Sequence, residues 1–111
     1  MVVQRQNAAY VARLRALSVA QAAARGSQYC AERTQLVRVT VDEGTGALLF
    51  AQYRVWSGSE SGKDYPLYFD AWLDDAFCPC KFGVAGHACW HRGAVLLAAQ
   101  ELQQTFTRRW R

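Results

Sequence analysis

At 111 residues and 12.5 kDa the chain has the size of one ordinary domain, which argues against a two-domain enzyme. Hydrophobic residues make up 51% and charged residues 20%, and no apolar run reaches the about 20 residues of a spanning helix, which excludes a disordered tail and a membrane span. The net charge of +4 comes almost wholly from arginine, eleven against two lysines, so forked contacts to phosphate or carboxylate are plentiful and a polyanionic or acidic partner is favoured.

Residues 4–25 are rich in alanine and contain no glycine or proline, which predicts a helix ended by Gly26. Tyr10, Leu14, Leu17 and Ala24 form its apolar stripe, interrupted by Gln21, while its arginines scatter around the axis. Such a helix docks by a modest face and is no DNA reader by itself. Residues 36–42 alternate as a strand, Gly44-Thr45-Gly46 supplies a turn, and residues 47–56 read as the returning strand of a hairpin. With Glu43 opposite Ala47, Val41, Val39 and Val37 face Leu49, Ala51 and Tyr53 as a buried side. The other side carries Arg38, Phe50, Gln52, Arg54 and Trp56 and mixes cations with aromatics.

Residues 57–66 are polar and contain Gly58 and Gly62, the composition of a mobile loop. Ser61-Gly62-Lys63 within it is no phosphate-cradling loop, because Ser57 stands where that motif needs its first glycine and Asp64 where it needs Ser or Thr. Residues 67–73 resume alternation as a third antiparallel strand. Beyond it, His91, Val95, Ala99, Leu102, Phe106 and Trp110 share one helical stripe in a run free of proline, which predicts the C-terminal helix.

Between the third strand and that helix, three of the four cysteines and both histidines fall within fourteen residues. In a reducing compartment such clustering argues for metal before disulfide. Cys78 and Cys80, two apart in extended chain, point the same way as a pincer. Cys89 and His91 are also two apart, a spacing that a regular helix sends to nearly opposite sides, so the helix begins at about Trp90 or His91 with Cys89 still in the loop. Three thiolates and an imidazole make the closed tetrahedral set of structural zinc, with no position for a catalytic water. Structural zinc can contribute about 10–16 kcal/mol in small folding units, more than the stability of a typical domain.

The form Cys78-x-Cys80, eight residues, Cys89-x-His91, followed by an alanine- and leucine-rich helix, resembles the SWIM-type zinc finger over residues 67–103. The resemblance implies zinc-ligand roles for Cys78, Cys80, Cys89 and His91, and a module that binds DNA or proteins in transposases, remodeller-like ATPases, ubiquitin-pathway proteins or recombination factors. His87 lies outside that pattern and reads as a solvated loop histidine or one that supports a ligand. Cys30 reads as a small buried residue and Asp74-Asp75 as turn residues without catalysis.

The expected fold is therefore α+β in a single domain over residues 1–111: an N-terminal helix, a three-stranded antiparallel sheet and a zinc-stapled C-terminal helix. Residues 1–41 hold six cations and one acid, residues 42–80 two and seven, and residues 81–111 five and one, so the two ends of the chain are basic around an acidic middle. Lys81, Arg92, Arg108, Arg109 and Arg111 are the candidate phosphate contacts, with Arg108-Arg109-Trp110-Arg111 alternating cation and aromatic. The expected function is non-catalytic: a zinc-binding accessory factor that binds nucleic acid, DNA first, in recombination, repair, transposition or transcription. The alternative is a protein-interaction adaptor that docks a partner on aromatic surface including Trp56, Trp72 and Trp90. No enzyme activity, small-molecule substrate or membrane partner is expected, since there is no nucleophile with its base and no open metal site. The first residues lack the tripartite pattern of a secretory signal, so the setting expected is cytoplasmic, on the nucleoid in a bacterium or in the nucleus of a eukaryote.

Overall fold

Alanine-rich sequence with no helix breaker gives α1 (Val2–Arg25), and Gly26 ends it at φ +98, a backbone state that favours glycine. The computed structural model describes the backbone of residues 2–57 and 62–109 and the side chains of residues 9–57 and 62–106. A short helix, α2 (Ser27–Arg33), follows at once and leads into β1 (Thr34–Val41). The turn to β2 (Leu48–Trp56) is held by Asp42, whose Oδ2 accepts the Thr45 hydroxyl at 2.7 Å and the Thr45 amide at 3.0 Å. Those two donors hold the Asp42 carboxyl below its usual range, the hydroxyl first. Then come β3 (Asp64–Asp70), β4 (Asp75–Phe77), the single turn α3 (Lys81–Val84) and α4 (Trp90–Arg109).

The sheet is an antiparallel meander in the order β1-β2-β3-β4, one strand more than the sequence predicts. The extra strand, Asp75-Ala76-Phe77, is too short to show alternation, and its pairing with Tyr68, Phe69 and Asp70 sets it in place. The third strand also begins earlier, at Asp64, and stops at Asp70, where residues 71–74 turn with Asp74 at φ +53. Within the predicted loop, residues 58–61 lie outside the described residues.

The hairpin register differs from the expectation in the same physical way. Val39 does face Ala51, but Val41 faces Leu48, Leu36 faces Tyr53, and irregularities fall on either side of the Arg38 to Thr40 run. Leu36, Val37 and Val41 are consequently exposed on an edge strand, and the buried side is built instead by Ala51, Tyr53 and Val55 of β2 with Leu67 and Phe69 of β3. Against that side packs α4, which contacts β2, β3 and β4, while α2 rests on β1 and β2 and α1 crosses the back of α4. Val95 and Ala99 of α4 are fully buried in the same core as Leu67 and Phe69.

The buried line of α1 also departs from the predicted stripe. Tyr10 and Leu17 are half exposed, whereas Ser18 and Ala22 are fully buried. The cause is a close crossing: a Cβ added at Gly93 would overlap the Ser18 carbonyl oxygen, so the helices meet backbone to backbone and only small residues fit between them. Among the described residues no helix is long and apolar enough to cross a membrane.

Candidate metal centre

The pairing of β4 with β3 fixes Phe77, and the next residue, Cys78, enters the interior with 1% of its surface exposed. Pro79 keeps the chain out of the sheet ladder, and Cys80, extended at φ −67 and ψ 166, caps α3 by accepting the Gly83 amide on Sγ at 3.4 Å. Gly83 is required there, since a Cβ would overlap the Cys78 carbonyl oxygen. Gly86 at φ +83 returns the chain toward α1. Cys89 lies in the loop, its amide donating to Ser18 Oγ at 3.2 Å, and α4 opens at Trp90 as its spacing requires.

These local structures bring the Sγ atoms of Cys78, Cys80 and Cys89 and a ring nitrogen of His91 within 4.8 Å of one another, all four residues buried. Cys78 Sγ stands 3.7 Å from His91 Nδ1. A tetrahedral zinc with its usual bond lengths separates sulfur from nitrogen by about 3.6 Å, so this edge already has the right length. The other ring nitrogen, Nε2, is buried without a hydrogen-bond partner. Trp90 and Tyr65 fix the imidazole from two sides, with ring centroids 4.4 and 5.1 Å away.

The electrostatics point the same way. The Cys89 thiol is pushed down, chiefly because the Cys78 thiol donates a hydrogen bond to it, against the opposing effect of burial and with further help from His91 and the Arg92 amide at 3.5 Å. The same hydrogen bond, with burial, pushes Cys78 up. The three sulfurs are soft donors suited to a cation. Cys78, Cys80, Cys89 and His91 can hold a metal ion.

Other sequence candidates fall elsewhere. His87 is exposed and outside the cluster. Cys30 is a buried thiol donating to the Ala22 carbonyl at 3.4 Å, its pKa raised by burial. Lys81 is exposed, with Nζ 5.4 Å from the Phe82 ring centre. Arg92 is engaged by Asp75 through two contacts, Nε to Oδ1 at 3.0 Å and Nη2 to Oδ2 at 2.6 Å, at 14% and 15% side-chain exposure, so a phosphate would have to displace that carboxylate. The side chains of Arg108 and Arg109, and all of Trp110 and Arg111, lie outside the described residues. Trp90, named as adaptor surface from sequence, is a core residue at 7% exposure, packed edge-on against Tyr29 and capped by the Arg25 guanidinium at 5.1 Å.

Sequence reasoning missed Ser18, Tyr65 and the Asp75–Arg92 pair. A serine on a helix and a tyrosine before a proline carry no local signal of a partner so far along the chain, whereas an Asp at a strand end could have been matched to the first free arginine of the next helix. Comparison with protein-family models, with curated proteins and with solved structures finds no match for this chain.

Proposed function

We propose that this protein is a non-catalytic, zinc-binding module of the SWIM type that acts as a DNA-binding accessory factor in recombination, repair, transposition or transcription. The observation that carries the reading is the buried cluster of three cysteine sulfurs and one histidine nitrogen, in the spacing of that finger and within 4.8 Å of one another. Three soft thiolates and an imidazole suit zinc, and four protein donors close its shell. Held there, the ion would supply a cross-link. Cys78 and Cys80 stand at the end of β4, Cys89 is tied to α1 through Ser18, and His91 is the second residue of α4, so the site joins sheet, first helix and last helix. Structural stapling, rather than reaction at the metal, is what this layout can perform.

The nucleic-acid part rests on the net charge of +4 and on Lys81, Arg108, Arg109 and Arg111. Arg92 leaves that set because Asp75 already occupies its fork. The test combines elemental analysis of protein purified without added metal with a gel titration of DNA at rising salt. One zinc per chain and salt-sensitive retention support the reading; a folded metal-free protein, or no retention at low salt, overturns it.

One observation favours the adaptor alternative: Trp72 and Leu73, at the turn between β3 and β4, are 93% and 63% exposed. Salt-insensitive binding of one partner protein, lost in Trp72→Ala and accompanied by no DNA binding, would establish it.

A further inference from the structure

Helices cover one side of the sheet, and the other side is open at Phe50, Tyr68 and Phe77, which are 48%, 57% and 63% exposed. The strand register lays four residues in one row across all four strands: Arg38 faces Gln52, Gln52 faces Tyr68, and Tyr68 faces Phe77. Phe50 lies in the neighbouring row, opposite Asp70, and is therefore a diagonal neighbour of Tyr68 at about 7–8 Å. The large apolar side chains in these rows are aromatic, and their companions are a guanidinium and an amide. Exposed aliphatic side chains lie outside these rows, on the edge strand at Leu36, Val37 and Val41, at Leu49 of β2 and at Leu73 in the β3–β4 turn.

Two carboxylates of this face are paired with arginines, and the third, Asp70, keeps its charge while holding the turn that follows. Asp64 is bound by Arg54 at 2.8 Å, Asp75 is bound by Arg92, and Asp70 Oδ1 accepts the amides of Trp72 and Leu73 at 2.9 and 3.3 Å. Arg38 is exposed and makes no ion pair among the described residues, which leaves its fork available to a phosphate. Flat π-faces in neighbouring positions of an open antiparallel sheet, edged by a guanidinium free of any ion pair, match the chemistry of unpaired bases joined by phosphates. A duplex hides those base faces.

We propose that the open face of the sheet binds single-stranded nucleic acid, with bases stacked on Phe50, Tyr68 and Phe77, Gln52 available to base edges and Arg38 on the backbone. This rests on the nucleic-acid reading above and specifies its surface and substrate form.

The test is fluorescence anisotropy of the zinc-loaded full chain with labelled oligothymidylate, oligouridylate and a duplex of equal length. Single strands are expected to bind at least about tenfold more tightly than duplex, and the stronger of the two single strands identifies DNA or RNA as the natural class. Phe50→Ala and Tyr68→Ala are each expected to weaken binding about tenfold, and Tyr68→Phe, which keeps the ring, to bind like the parent. Both alanine variants change exposed side chains, and an unshifted thermal midpoint confirms that folding is intact. Duplex binding as tight as single-strand binding overturns the proposal. Parent-like binding by both alanine variants, together with loss in Arg108→Ala/Arg109→Ala, also overturns it while leaving the nucleic-acid reading in place. No binding of any of the three probes overturns both.

Discussion

Ser18 Oγ accepts the amide hydrogen of Cys89 at 3.2 Å, although the two residues are 71 positions apart. One hydroxyl on the first helix thereby orients a cysteine of the candidate metal centre at the threshold of the last helix. The contact exists because Gly93, one turn into α4, lets the two backbones approach at Ser18. Helix crossing and cluster geometry are consequently a single feature.

Ser18→Ala is expected to leave the buried Cys89 amide without an acceptor and to cost about 1–3 kcal/mol in urea denaturation. Gly93→Ala is expected to cost at least as much, because the added methyl meets backbone atoms of α1 that cannot turn aside. A Gly93→Ala protein with the parent's midpoint would show that the helices do not cross this closely.

The Gly83 amide donates to Cys80 Sγ, and its missing side chain makes room for the Cys78 carbonyl. Gly83→Ala is therefore expected to weaken zinc binding about tenfold or more in competition with a chelator, the usual effect of disturbing a partner of a metal ligand. Gly44→Ala is the control. It sits in the β1–β2 turn with only an ordinary contact to Asp42 and is expected to change stability by less than about 0.5 kcal/mol.

Arg92 and Asp75 form a two-point ion pair between α4 and β4 at about one-seventh exposure. Arg92→Ala is expected to cost about 3 kcal/mol, since it strands a largely buried carboxylate, and Arg92→Lys to recover only part of that because lysine lacks the fork. If Arg92 serves the fold, oligonucleotide affinity per folded molecule stays unchanged in Arg92→Lys. A selective loss of affinity at unchanged stability would instead return Arg92 to the binding surface.

The clustering of Cys78, Cys80, Cys89 and His91 and the start of α4 were legible because chemistry and period point the same way there: thiols two apart suit an extended chain, and Cys89 with His91 forbids a helix that starts earlier. The open face of mixed cations and aromatics on β2 was legible for the same reason, since alternation alone separates Phe50, Gln52 and Arg54 from Ala51, Tyr53 and Val55. The packing face of α1 was not. Apolar periodicity weights large side chains such as Tyr10 and Leu17, but this helix docks through Ser18 and Ala22, whose value lies in being small. Nor could three residues of β4 reveal a strand, because their extended shape comes from pairing with β3 and from no preference of Asp-Ala-Phe.

Burial, and then the charge of Glu101, pushes the Tyr53 phenol up to about 12. Because the folded value lies above the unfolded one of about 10, the stability this group contributes is whole below that pH and is lost as pH rises toward 12. Alkaline titration of tyrosinate absorbance is expected to show one of the five tyrosines ionising late, together with unfolding, and Tyr53→Phe to flatten the alkaline fall in stability. Ionisation of Tyr53 near 10 in a folded protein would contradict this.

One ion is expected to join Cys78, Cys80, Cys89 and His91, and the fold of the C-terminal half to depend on it. Metal content and circular dichroism, measured on the same sample of the full chain before and after a strong zinc chelator, address it most directly. One zinc per chain is expected at the outset, with release in step with a cooperative loss of helix signal and recovery of both on adding zinc alone. A chain that arrives without metal, or that gives up its zinc and keeps its helix signal and melting transition, would contradict it.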